Sequence, residues 1–195
     1  MTAGNQRHQR GFTLIELLVT LMIASIIAVM AVPAFAGFLA RQQLASDVNE
    51  LISVLSFARS EAIKQRSDTT VVFSPPNAAT SKRRPESCRN NEVAEELSDS
   101  NGVSIIYRYS GWCYWVVKSD AADEILRLGQ SANITTPDQA FSLTFQSLGD
   151  ANIDDCRTDL SDPCQITLIS QREGIAPVTL AVNITGSIRR QESQQ

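Results

Sequence analysis

Between Leu17 and Ala40 the chain runs for 24 residues without a charged side chain. Leu, Ile, Val, Ala and Met make up most of the run. As an α-helix at about 1.5 Å per residue it would reach roughly 36 Å, against about 30 Å for the hydrocarbon core of a bilayer. A helix that is apolar all round has to be covered by lipid, by a protein core or by other helices. The residues ahead of it, 1–11, are polar and basic, with Arg7 and Arg10. By the positive-inside rule the N-terminus stays in the cytoplasm and the bulk of the chain lies beyond a single membrane span. An ordinary secretory signal has a shorter apolar stretch followed by a small-residue cleavage site, and this run is too long to be one. Its only break is Pro33, which lacks an amide donor and is expected to kink or locally melt the helix. One residue does not suit a plain anchor. Glu16 stands at the head of the run, and an acidic side chain costs about 2.5–3.5 kcal/mol at the centre of a membrane helix, less near the interface. Such residues are functional candidates by default.

The rest of the composition narrows the class. The chain has 195 residues, 43% of them hydrophobic, enough for one ordinary domain. With 17 Lys+Arg against 21 Asp+Glu it is net acidic, which argues against a generic nucleic-acid coat and leaves room only for a local basic patch. No window carries a Walker-type phosphate loop, a GxGxxG turn, an HExxH helix or a CxxC pair. The one histidine is His8, inside the basic leader. Without a nucleophile motif, general-base chemistry would have to rest on carboxylates or lysine. A non-enzymatic building block is expected.

The heptapeptide Gly11-Phe12-Thr13-Leu14-Ile15-Glu16-Leu17 resembles the prepilin signature of type IV pilins and type II secretion pseudopilins. The resemblance implies that a prepilin peptidase cuts between Gly11 and Phe12 and that the new N-terminal Phe12 is N-methylated. His8, Arg7 and Arg10 then leave with leader 1–11, so 15 of the 17 basic residues remain against 21 acidic ones, about −6 before the new amine is counted. After cleavage the Phe12 amine and the Glu16 carboxylate lie one helical turn apart. In a bundle a neighbour's amine can neutralise that carboxylate, so Glu16 would select register and neighbour. Pilins of this kind carry a proline at the place of Pro33.

From Arg41 to Arg66 the pattern turns amphipathic. Leu44, Val48, Leu51, Leu55, Ala58 and Ala62 recur at spacings of three and four, while Asp47, Glu50, Arg59, Glu61 and Lys64 are expected to face outward. The segment Phe57-Ala58-Arg59-Ser60-Glu61-Ala62-Ile63-Lys64 resembles the FimT/GspH branch of the same superfamily, which holds pseudopilin H and the FimT- and FimU-like minor pilins. The implied fold is α+β and pilin-like: a long N-terminal helix, half transmembrane (12–40) and half amphipathic (41–66), packed on a C-terminal antiparallel β-sheet domain (67–195). The implied place is the bacterial inner membrane, with that domain in the periplasm and later in a filament. The implied partners are other pilins or pseudopilins, the prepilin peptidase and the inner-membrane assembly platform. No cofactor is implied, and the chain has no nucleotide site for the cytoplasmic ATPase step of such assembly.

Beyond Asp68 the chain reads as strands: Thr69–Phe73, Ala140–Gln146, Gln165–Ser170 and Val178–Ile184. Val103–Arg108 and Trp112–Lys118 flank Tyr109-Ser110-Gly111 and read as a hairpin. The polar stretches 74–101 and 147–164 read as surface loops.

Cys88, Cys113, Cys156 and Cys164 have no zinc spacing and no histidine to complete a site. Outside the cytoplasm, two disulfides are expected. Of the three connectivities, 88–113 with 156–164 is preferred, and the others stay open. In the acidic loop, Asp150, Asn152 and Asp154 alternate as at the start of a calcium loop. Asp155 stands where that loop wants Gly and Ser161 where it wants Glu, so Ca2+ binding there competes with a simple solvated turn. At the C-terminus, FimT-like pilins of DNA uptake end in a Gly-Arg-x-Arg-like tail. Gly186 and Arg189 match it, Arg190 is added, and Ser187 departs from it. Arg189 and Arg190, with Lys82-Arg83-Arg84 if the fold brings that run near, would contact DNA phosphates. A solvated C-terminal arginine pair is the alternative.

Overall fold

The computed structural model describes residues 12–79, 84–89, 92–99, 102–119, 121–157, 159 and 161–192. These fall into two units, Met1–Leu39 and Ala40–Gln195. Helix α1, Leu14–Gln65, contributes to both.

In the first unit the helix is apolar, and most of its described side chains are exposed. Leu14, Ile15, Leu18, Leu21, Met22 and Ile26 are all more than half exposed. The few polar side chains are turned back on the helix itself: Thr20 Oγ1 donates to Leu17 O at 2.9 Å and Ser25 Oγ to Met22 O at 2.7 Å. That leaves no hydroxyl proton of these two residues for solvent, an arrangement that suits an apolar setting. Among the described residues no single helix is long and apolar enough to cross a membrane. The pieces Leu14–Val29 and Ala34–Gln65, with a bend at the break between them, meet that test together. Pro33 lies in this break.

In the second unit α1 is a scaffold. Leu44, Val48, Leu51, Val54, Leu55, Ala58 and Ala62 are buried in one core with strand residues Val71, Phe73, Tyr114, Val116, Leu143, Phe145, Ile166 and Leu180. The central sheet has the order β6-β5-β1-β8-β9. Its strands are β1 (Thr69–Ser74), β5 (Trp112–Lys118), β6 (Ala121–Ser131), β8 (Phe141–Phe145) and β9 (Ala151–Asn152), all antiparallel to their neighbours. A second sheet runs β12-β11-β10-β7, from Ile188–Glu192, Val178–Val182, Cys164–Leu168 and Ile134–Thr136. A third, β2-β4-β3, is built from Asn77–Ala79, Gly102–Arg108 and Val93–Asp99. Alternation explains the core-forming strands: Phe73 sits opposite both Phe141 and Tyr114, with ring centroids 4.3 and 5.5 Å away.

Several expectations need correction. The stretch 74–101 is not a loop throughout: its described residues include β2, β3 and the 3-10 turn Glu86–Cys88. The stretch 147–164 contains β9, and its last residue opens β10. β4 and β5 do not form a hairpin, because β4 pairs with β2 and β3 while β5 pairs with β1 and β6. The intervening Tyr109 donates its N–H to Pro76 O at 2.8 Å and the Gly111 carbonyl is taken by Arg84, so the turn is spent on other partners. On α1, Asp47 and Glu61 are buried instead of facing outward.

Candidate functional site

The N-terminal signature opens the described chain. Phe12 is 84% exposed and, with Thr13, precedes the helix, while Gly11 and the leader lie outside the described residues. Thr13 is the helix N-cap: its Oγ1 accepts the Glu16 N–H at 3.3 Å. Thr13 followed three residues later by Glu16 is the capping-box pattern, a signal in the sequence that the pilin-type reading of Glu16 passed over. It gives Glu16 a second reason to stand here. A carboxylate in the first helical turn meets unpaired backbone N–H groups and the positive end of the helix dipole. Beyond it, the apolar surface from Leu14 to Leu39 is what the unit offers to its surroundings.

In the second unit polar side chains fasten α1 to the sheets. The Asp47 carboxylate accepts from Ser131 Oγ at 2.6 Å, from Asn133 Nδ2 at 2.9 Å and from Gln43 Nε2 at 2.8 Å. It thereby clamps the β6–β7 connection against the helix. Three turns on, Arg59 donates from Nε to Gly149 O at 2.8 Å and from Nη2 to Thr185 O at 3.1 Å. The two loops it joins meet through glycines with φ of +90° at Gly149 and +69° at Gly186. A Cβ at Gly186 would stand 2.0 Å from Gly149 O. Gly186 is thus required by the fold of this junction, independently of any role in a DNA-contacting tail.

The insertion after β1 is organised by Arg84, which is buried. Its guanidinium donates to Ser74 Oγ (3.0 Å), Ser74 O (3.0 Å), Pro75 O (2.7 Å) and Gly111 O (2.6 Å) and lies 3.9 Å from the Tyr109 ring centre. Burial pulls its pKa down to about 10, so it remains a cation at neutral pH. The Tyr109 hydroxyl, pushed up mainly by burial, donates to Glu92 Oε2 at 3.1 Å. This corrects the reading of Lys82-Arg83-Arg84 as one exposed basic run: Arg84 is internal, and Lys82 and Arg83 lie outside the described residues.

The four cysteines are joined as Cys88–Cys113, with Cα atoms 6.2 Å apart, and Cys156–Cys164, at 5.1 Å. Of the calcium-like residues, Asn152 and Asp154 are engaged with partners inside the acidic loop. Asn152 Oδ1 accepts the Asp154 N–H at 3.0 Å, and the Asp154 carboxylate pairs with Arg157. Among the described residues no group of three or more His, Cys, Asp or Glu is placed to hold a metal ion. Arg189 and Arg190 are consecutive on β12, opposite Ala181 and Leu180. Neighbours on a strand point to opposite faces, so the pair does not make one phosphate clamp. Arg189 lines a groove of about 420 Å³ together with Asp162, Asn183, Thr185 and Ser187.

A helix that exposes apolar side chains along its first half, capped at an N-terminal signature and fastened by its second half to a disulfide-bonded β domain, defines a pilin-like subunit. Residues 6–32 match the prokaryotic N-terminal methylation motif. Residues 47–186, most of the chain, match the family described as type II transport protein GspH, and the chain belongs to that family. No curated protein and no solved structure matches it. The family is structural, and its members assemble with other pilins or pseudopilins in a filament.

Proposed function

We propose that this chain is a minor pilin or pseudopilin, a structural subunit of a periplasmic type IV pilus or type II secretion filament. In this reading a prepilin peptidase removes residues 1–11, Phe12 is N-methylated, and the apolar helix leaves the inner membrane for the filament core with Glu16 against a neighbour's amine. The observation that carries it is the exposed apolar surface of Leu14–Leu39, with Glu16 the one charged side chain within it. In a filament, packing against like helices would cover that surface and the amine would remove the unpaired charge.

The test is co-expression of the full chain with a prepilin peptidase. Intact mass should show loss of residues 1–11 and the gain of one methyl group, and Gly11→Val should retain the leader. Glu16→Leu should be processed and folded but absent from sheared or cross-linked filaments. Wild-type chain that keeps its leader, or Glu16→Leu chain that enters filaments as well as wild type, would overturn the proposal. Mass spectrometry of cross-linked partners decides between the two machines. The DNA-uptake reading gains less support, since it rests on Arg189 and Arg190, which occupy opposite faces of β12.

A further inference from the structure

We propose that Arg84 is the positioning residue for closure of the Cys88–Cys113 disulfide. The cage around Arg84 draws on the same two strands that present Cys113. Ser74, which supplies two of its acceptors, is the register partner of Cys113 in the β1–β5 pair. Gly111, a third acceptor, lies two residues before Cys113. On the other side, Arg84 is tied to Cys88 through a compact turn. The Arg89 Nε donates to Arg84 O at 2.8 Å, and the Cys88 N–H donates to Pro85 O at 2.9 Å. Both cysteines are buried, 25 positions apart in sequence.

One guanidinium therefore links the segment carrying one thiol to the strand ends carrying the other. Arginine suits this place because its planar fork offers several donors in fixed directions to the converging Ser74, Pro75 and Gly111 carbonyls. The Tyr109 face adds attraction for the cation. Holding the two segments together before the bond forms raises the effective concentration of one thiol at the other. By reciprocity the closed disulfide stabilises the cage in turn.

The test is a glutathione redox titration of the full chain in detergent, with each pair followed by alkylation and peptide mass mapping. In each closure the two cysteine thiols are oxidised to one disulfide while one oxidised glutathione is reduced to two glutathione thiols. Cys156–Cys164 serves as the internal reference, because Arg84 does not touch it. Arg84→Gln should lower the effective concentration of the 88–113 pair by about tenfold or more, within the usual range of coupling between contacting groups, and leave 156–164 within about twofold. Arg84→Lys, which keeps the charge and loses the fork, should not restore it. If Arg84→Gln fails to fold, Ser74→Ala removes one acceptor and should lower the 88–113 value alone, by about two- to fivefold. An equal fall in both pairs, which is what a merely structural role would give, or no fall in either, overturns the proposal.

Discussion

The two halves of α1 both carry leucines, isoleucines and valines and use them in opposite ways. From Leu14 to Leu39, leucines and isoleucines lie on every side of the helix and remain exposed. From Ala40 to Gln65 the stripe Leu44, Val48, Leu51, Leu55, Ala58 and Ala62, with Val54 beside it, is buried in the chain's own core. The polar groups differ in the same way. Thr20 and Ser25 bond back to their own helix, whereas Asp47 and Arg59 reach groups 84 to 126 positions away. The second half spends its side chains on the fold and the first half on whatever surrounds it. Stability of the domain and competence for assembly should then be separable by mutation along one helix.

The largest expected effect tests that separation directly. Leu51 is fully buried, and Leu51→Ala should destabilise the globular unit by about 2–5 kcal/mol through lost transfer energy and the cavity left behind. Leu21→Ala removes the same atoms from the exposed half. Chemical unfolding of the full chain in detergent should detect the first and not the second. If Leu21→Ala unfolds the domain as readily, the two halves are not independent and the comparison fails.

Next comes the junction that Arg59 fastens. Gly186→Ala forces a side chain into left-handed backbone and against the Gly149 carbonyl, at a cost of about 2 kcal/mol or more. A DNA-tail role for Gly186 would instead predict an unchanged unfolding midpoint and an altered affinity for DNA. Asp47→Ala should cost about 1–3 kcal/mol, because Ser131 and Asn133 lose their buried acceptor. Asp47→Asn keeps one acceptor oxygen and should fall between the two. Both are read from the unfolding midpoint.

How much of this was legible in the sequence depends on where each signal lives. The apolar run and the stripe after it are periodic, so they can be read one residue at a time, as can the alternating strands Thr69–Phe73 and Gln165–Ser170. Strands β3, with sequence VAEELSD, and β12, with IRRQE, are mostly polar. Their pairing rests on backbone bonds to β4 and β11, which no side-chain pattern announces. Asp47 looked like a solvent-facing residue of an amphipathic helix because its partners stand 84 and 86 positions on. Arg84 looked like the end of an exposed basic run because the carbonyls that cage it converge only after β1 and β5 pair. Thr13 was the exception, since its cap is local and its signature was in plain view.

The smallest expected effect has the opposite sign and probes how well the second unit satisfies itself. Tyr114 is fully buried, and its hydroxyl, like that of Thr69, has no hydrogen-bond partner among the described residues. Burial is the main reason its pKa is raised, with Glu50 and Asp47 adding to it, so the group stays protonated and neutral. A buried hydroxyl without a partner is a desolvation cost with no return. Tyr114→Phe keeps the ring against Phe73 and deletes only that oxygen, so stability should stay level or rise by up to about 1 kcal/mol. Tyr114→Leu also removes the ring contact and should destabilise clearly. A loss of more than about 1 kcal/mol in the phenylalanine variant would mean that the hydroxyl has a partner, such as an ordered water held near Asp47 and Glu50. The tyrosine would then belong with Asp47 and Arg59 among the polar anchors that set the second half of α1 apart from the first.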